Sequence, residues 1–179
     1  MNITYHCISA YTTEVMDIYQ TLGPLILGSR LRRLSEQFIS EVNKVYQEQG
    51  IHFDASWFPV FYLLSERPAI SIRELSNALQ VSHSAVSQLI SNLKRRQLVD
   101  STASDDDGRL QLIQLSTEGL ALLCTIRPIW ESILHTFVQM CDQNEAIAHL
   151  LPSITAMERL FAEKAFSERI NNVHSTYTA

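Results

Sequence analysis

A mainly helical fold carrying one small β-wing is what this chain of 179 residues predicts. Three observations lead there. Ser71-Ile72-Arg73-Glu74 and Gln80-Val81-Ser82 open two short amphipathic helices separated by a tight turn. After Lys94-Arg95-Arg96 the apolar period changes from helical to two, and Asp107-Gly108 supplies a turn between two strands. Long stretches at helical spacing flank this unit on both sides. Helix, turn, helix and a two-stranded ribbon, in that order, make a winged helix-turn-helix with N- and C-terminal dimerisation helices. Such a unit lays one helix in the DNA major groove.

The elements follow in chain order. Residues 1–20 read as an N-terminal extension, helical around Glu14 to Tyr19, before Gly23-Pro24 punctuates. From Leu25 to Gln49, the positions Leu27, Leu31, Leu34, Phe38, Val42 and Val45 recur at three- and four-residue steps, with Gly50 as a stop. A second helix starts near Asp54 or Ser56, tolerates Pro59 in its first turn and ends at Arg67-Pro68. In the first helix of the central pair, Ile72, Leu75, Ala78 and Leu79 form one stripe; in the second, Val86, Leu89, Ile90 and Leu93 face inward. Leu98-Val99 begins a strand, and Leu110, Leu112 and Leu115 mark its return, with Gln111 and Gln114 outward. A long helix from Thr117 kinks at Pro128, and Asn144 to about Asn171 is helical again with a break at Pro152. The predicted division is a 1–20 extension and a 21–179 domain. Within the domain the winged core covers about 54–116, and the dimerisation helices cover about 22–49 and 117–171.

The second helix of the pair has the composition of a base reader. Opposite its apolar side lie His83, Ser84, Ser87, Gln88 and Ser91, then Lys94 and Arg95, with Ser82 as its cap. Short polar groups allow close approach to base edges, and Gln and Arg are common readers. Arg73 and the two cations at the helix end suit phosphates, and Arg109 at the wing tip suits a minor groove. Taken singly, each group also fits an ordinary solvated surface. What favours DNA is their occurrence together.

These residues closely resemble the MarR family of bacterial transcription regulators. The likeness rests on Ile72-Arg73-Glu74-Leu75, on Val81-Ser82-His83-Ser84-Ala85-Val86-Ser87, and on Leu98-Val99 after a basic helix end. Its most specific part is Asp107-Gly108-Arg109 followed by Leu115-Ser116-Thr117-Glu118-Gly119, where Ser116 replaces the usual threonine. The resemblance implies that Arg109 enters the minor groove, braced by Asp107. It also implies a homodimer joined through the terminal helices, and a small-molecule site between dimer lobe and winged lobe. Trp57, Phe61 and Tyr62, with His52 before them and Arg30 on the first long helix, are the candidates to hold a small aromatic effector. Each of these aromatics has core packing as its competing explanation.

Composition bounds the rest. No apolar run reaches transmembrane length and the N-terminus lacks a basic start, so a cytoplasmic protein with reduced cysteines is expected. Cys7, beside His6, is the candidate redox sensor; Cys124 and Cys141 read as buried packing groups. Histidines are scattered and no phosphate loop or nucleophile elbow occurs, so neither metal, cofactor nor catalytic residue is assigned. The net charge of −5 opposes non-specific DNA affinity. Together with Asp105-Asp106-Asp107 it supports the rival, a winged module that binds protein. The 14 Lys plus Arg include a cluster at the reader helix, which favours double-stranded DNA as partner.

Overall fold

Two Schellman-type hydrogen bonds close the first long helix. Gly50 takes φ +68°, its amide donates to the Gln47 carbonyl at 3.0 Å, and the Ile51 amide reaches Tyr46 at 2.8 Å. In this computed structural model, which describes residues 21–67, 69–103 and 111–178, that helix is α1, Leu27–Glu48. A 3₁₀ turn at Gly23–Ile26 leads into it. Asp54 caps a second 3₁₀ turn, Ala55–Trp57, by accepting from the Ser56 amide at 2.8 Å. The Ala55 amide donates to Asn43 Oδ1 at 2.7 Å, which ties the loop back to α1. Helix α2, Phe58–Glu66, follows with Pro59 in its first turn, where the absent amide hydrogen costs nothing.

The winged unit comes next. It consists of β1 (Ile70–Ser71), α3 (Ile72–Leu79), α4 (His83–Arg95), β2 (Val99–Ala103) and β3 (Gln111–Leu115). The three strands form one antiparallel sheet in the order β1-β3-β2. Ile113 lies at its centre, opposite both Ile70 and Ser101, and is fully buried. This corrects the apolar reading of the return strand. Strand periodicity puts Ile113 and Leu115 on the core side; Leu112 and Gln114 fall on the opposite face, both half-buried. Leu110 lies outside the described residues.

Two further corrections concern helices, at Ala78 and at Pro152. Ala78 is exposed, so the α3 stripe rests on Leu75, flanked by half-buried Ile72 and Leu79. Helix α5 is one element, Thr117–Gln143, running through Pro128. The break expected at Pro152 falls elsewhere. Asn144 ends α5 and caps the short α6, Glu145–Ala148, accepting from Ala146 at 2.9 Å. Pro152 then sits in the first turn of α7, Leu150–Glu163, and the chain breaks again at Lys164 before α8, Phe166–Thr178.

The core joins α1, α2, α3, α4, the sheet and the first half of α5. Phe53 is its aromatic hub, edge-on to Tyr46 at 5.0 Å, Trp57 at 5.6 Å and Phe61 at 5.1 Å between centroids. Buried Tyr46 satisfies its hydroxyl by accepting from Trp130 Nε1 at 3.1 Å. By contrast, α7 buries no side chain. Leu151 and Phe161 on α7, and Phe166, Ile170 and Val173 on α8, remain exposed. So do Leu27, Leu31, Leu34 and Phe38 on α1. Among the described residues, no helix is long and apolar enough to cross a membrane.

A close backbone approach anchors α5. The Ser116 amide donates to the Leu98 carbonyl at 3.1 Å, and its hydroxyl donates to the Gln97 carbonyl at 2.6 Å. The same hydroxyl accepts from the Gly119 amide at 2.9 Å and so caps the helix. A Cβ at Gly119 would overlap the Leu98 carbonyl oxygen. Gly119→Ala is therefore expected to destabilise the fold by about 1–3 kcal/mol in urea unfolding, as overpacking does. Gly28→Ala is the control. It opens onto free space near the start of α1 and should gain about 0.5–1 kcal/mol.

Candidate nucleic-acid interface

The capping box at the head of α3 is complete. The Glu74 amide donates to Ser71 Oγ at 3.2 Å, while the Ser71 amide and hydroxyl donate to Glu74 Oε2 at 2.9 and 2.6 Å. At the other end of α3, Gln80 takes the left-handed conformation, φ +54°, which turns the chain sharply. Ser76 locks the turn from both sides: its carbonyl accepts from the Val81 amide at 3.2 Å, and its hydroxyl donates to the Val81 carbonyl at 2.6 Å. The sequence reading missed Ser76. Its signal was a hydroxyl one turn before the α3 stop, within reach of a backbone group left unpaired there. Ser82 then caps α4, accepting from the Ala85 amide at 3.2 Å.

Helix α4 is two-sided. Val86, Ile90 and Leu93 are buried in the core, with Leu89 half-buried beside them. Ser82, His83, Ser84, Gln88, Ser91 and Arg95 are exposed, and Ser87 and Lys94 are half-buried. Ser84, Gln88, Ser91 and Arg95 lie four, three and four residues apart, which makes a single outward stripe. Two neighbouring pairs order its N-terminal end. Ser82 Oγ lies 3.1 Å from Ser84 Oγ, and His83 Nδ1 lies 3.3 Å from Ser87 Oγ. Arg73 is exposed in the first turn of α3. Asp107 and Arg109 lie outside the described residues, as do Asp105 and Asp106.

The basic cluster that ends α4 divides in two. Arg95 and Arg96 are both exposed, and only Arg96 is tethered: its guanidinium stacks 4.9 Å from the Trp57 ring centroid, and its Nε donates to Asn92 Oδ1 at 3.2 Å. Its guanidinium lies over the outer face of Trp57 while the residue stays open to solvent. Gln97, at φ +60°, then turns the chain into β2.

The five candidates for an effector pocket do not meet in one cavity. Trp57 and Phe61 are buried, edge-on to Phe53. Tyr62 is exposed in a second aromatic group with Phe58 and Trp130. Arg30 is exposed on α1. His52 borders a groove of about 390 Å³ whose other walls are Gly50, Ile51, Arg96, Leu98, Leu122 and Thr125. Cys124 is exposed and Cys141 half-buried, so neither is the buried packing group expected; each faces outward at least in part on α5. Cys7 and His6 lie outside the described residues. The described residues hold no group of three or more His, Cys, Asp or Glu fit for a metal.

A family model matches this geometry. The MarR family model covers residues 53–110, from the aromatic hub to the foot of β3. The winged unit is MarR-like. Solved MarR structures share the wider architecture. A cysteine-to-serine variant of MarR from E. coli, complexed with operator DNA, superposes with a TM-score of 0.62 at 20% identity, covering 77% of this chain and 98% of that one. The S. aureus MepR–DNA complex gives 0.61 at 20% identity, over 73% and 96%. The regulator BldR from Sulfolobus solfataricus gives 0.57 at 18%, over 80% and 98%. At these identities the likeness establishes the MarR winged-helix fold. No curated protein matches the sequence.

The capping box carries a pH signature. Hydrogen bonds from the Ser71 hydroxyl, then from its amide, hold the Glu74 carboxyl below its ordinary value of 4.5. A depressed carboxylate stabilises the fold fully above its unfolded value, and this contribution is lost as pH falls through the folded value. Urea titrations across pH 3–6 should therefore show wild type losing stability faster than Glu74→Gln below about pH 4.5. Parallel curves for the two proteins would contradict this.

Proposed function

We propose that this chain is a DNA-binding transcription regulator that grips a pseudo-palindromic operator as a homodimer. The observation that carries the reading is α4. It is capped at its head, buried along one side and clear of the core along a polar stripe that ends in a cation. In this reading Ser82, His83, Ser84, Ser87, Gln88 and Ser91 face the bases. Arg73, Lys94 and Arg95 meet phosphates, while Arg109 enters the minor groove with Asp107 bracing it. The solved DNA complexes of MarR and MepR support the same docking. None of these roles is catalytic, and a cytoplasmic setting suits them.

The dimer reading rests on apolar surface left uncovered. Phe38 on α1 and Ile170 on α8 are each about half exposed, at 53% and 51%. A 13-residue helix with such a face is marginal in water unless something packs against it. A second copy would supply that surface and place two α4 helices on successive major grooves. The proposed division follows: the winged core about 54–116 reads DNA, and helices about 22–49 and 117–171 dimerise, behind a 1–20 extension. A small aromatic acid acting through Arg30, His52, Trp57, Phe61 or Tyr62 remains part of the proposal. So does oxidation at Cys7 as an alternative switch. The acidic net charge favours a second reading, a winged module for a protein partner.

A salt titration against upstream DNA, with a scrambled control, separates the two readings. The regulator should form a sequence-dependent complex of two protomers per site, with log K falling by about 0.9 per phosphate contact per log unit of salt. Equal affinity for the scrambled control would favour the protein partner. Arg109→Ala should weaken operator binding by about 1–3 kcal/mol without changing the melting temperature. Ile170→Asp should shift the chain from dimer to monomer in sedimentation equilibrium, since its side chain meets no core.

A further inference from the structure

Some hydroxyl residues on the helices bond back to their own backbone: Thr125, Ser132, Thr136 and Thr176 each donate to the carbonyl four residues back, at 3.1, 2.9, 2.8 and 3.0 Å. Ser87, inside α4, meets a side chain instead. Its hydroxyl lies 3.3 Å from Nδ1 of His83, one turn earlier on the same face. His83 is exposed at the first position of α4, and Ser87 is half-buried behind it.

This pairing decides what the far side of the ring can offer. An imidazole bonded at Nδ1 has three available states. In the neutral ring with the proton on Nε2, Ser87 donates to bare Nδ1 and Nε2–H is a donor. In the protonated ring, Nδ1–H donates to Ser87 Oγ and Nε2–H is again a donor. In the neutral ring with the proton on Nδ1, Nδ1–H donates to Ser87 Oγ, Nε2 accepts, and the Ser87 proton turns to the His83 carbonyl or to water. The first state seats the serine proton on the ring itself, and it presents a hydrogen-bond donor from Nε2.

We propose that Ser87 is a positioning residue that fixes His83 with Nε2–H outward, and that His83 thereby selects guanine in each operator half-site. The inference rests on the regulator reading above. Guanine suits a single donor best in the major groove, because its edge offers two adjacent acceptors, N7 and O6. Adenine sets an amino group beside N7, thymine a methyl beside O4, and cytosine presents a donor that repels Nε2–H. Ser84, engaged with Ser82, and Gln88, whose amide both donates and accepts, impose no such single polarity.

The test is selection of binding sites from a random duplex library by the full chain, run in parallel for wild type, His83→Ala, Ser87→Ala and Ser87→Thr. Wild type should enrich a symmetric site with a guanine in each half that His83→Ala no longer prefers. Ser87→Ala should weaken that preference, and Ser87→Thr, which keeps the hydroxyl, should restore it. Replacing this guanine with 7-deazaguanine should weaken wild type about five- to tenfold, the worth of one hydrogen bond, and leave His83→Ala unaffected. Imidazole ¹⁵N spectra of the free protein should show Nδ1 of His83 as the bare nitrogen at neutral pH, and a mixed tautomer in Ser87→Ala. A selected site whose base preferences survive His83→Ala unchanged would overturn the inference and leave the regulator reading standing. A Nδ1–H tautomer in the spectra would overturn the role of Ser87. No enrichment by wild type would sink the regulator reading, and the guanine preference with it.

Discussion

The backbone of Gln97 and Leu98 is where three parts of the molecule are joined. These two residues form the turn between α4 and β2, and their carbonyls receive the hydroxyl and amide of Ser116 at the head of α5. Helix α5 is thus docked by hydrogen bonds to the chain that leaves the recognition helix, and Gly119 lets its first turn close onto Leu98. One small hydroxyl caps a helix and pairs a turn carbonyl at once. Two hydrogen bonds of 3.1 Å or less thus tie the head of α5 to the chain that leads from α4 to β2, apart from the side chains of the core.

The aromatic hub secures the same region from the other side. Phe53 gathers Tyr46, Trp57 and Phe61 edge-on, and Trp57 carries the Arg96 guanidinium on its outer face. The last residue of the α4 turn is thereby held to the loop after α1. Helix α4 is fixed along its length by Val86, Ile90 and Leu93, at its start by Ser82, and at its end by Arg96 and Gln97. Such fixing on all sides keeps the ordering entropy of a binding surface low before any partner arrives.

Most of the architecture was legible because local chemistry and global fold agree. Capping serines at 71, 82 and 116, the asparagine at 144 and the glycine at 50 stand at real helix boundaries, since each satisfies a backbone group the helix leaves open. The errors came where pattern alone could not decide. In β3 three leucines suggested a face, but strand parity belongs to Ile113, whose importance comes from two neighbouring strands far off in sequence. Pro152 looked like a break because proline is poor inside helices; it is harmless in a first turn, and which residue opens α7 was not evident. The outward stripe of α4 was readable from period. The dispersal of Trp57, Phe61 and Tyr62 between core and surface was not, because an aromatic's partners are set by tertiary packing.

Gln80 and Gln97, one on each side of α4, both occupy the left-handed region, where a side chain is disfavoured and glycine is at ease. Chains that need such turns commonly place glycine there. With glutamine the turn is less comfortable but also narrower, since fewer neighbouring conformations are open to it. The helix between them is consequently aimed by two stiff joints. Exchanging either for glycine would trade aim for ease: a protein more tolerant of heat, whose reading helix samples a wider range of angles. Variation at these two positions offers a way to tune how strictly the helix holds its direction without altering any residue on its outward face.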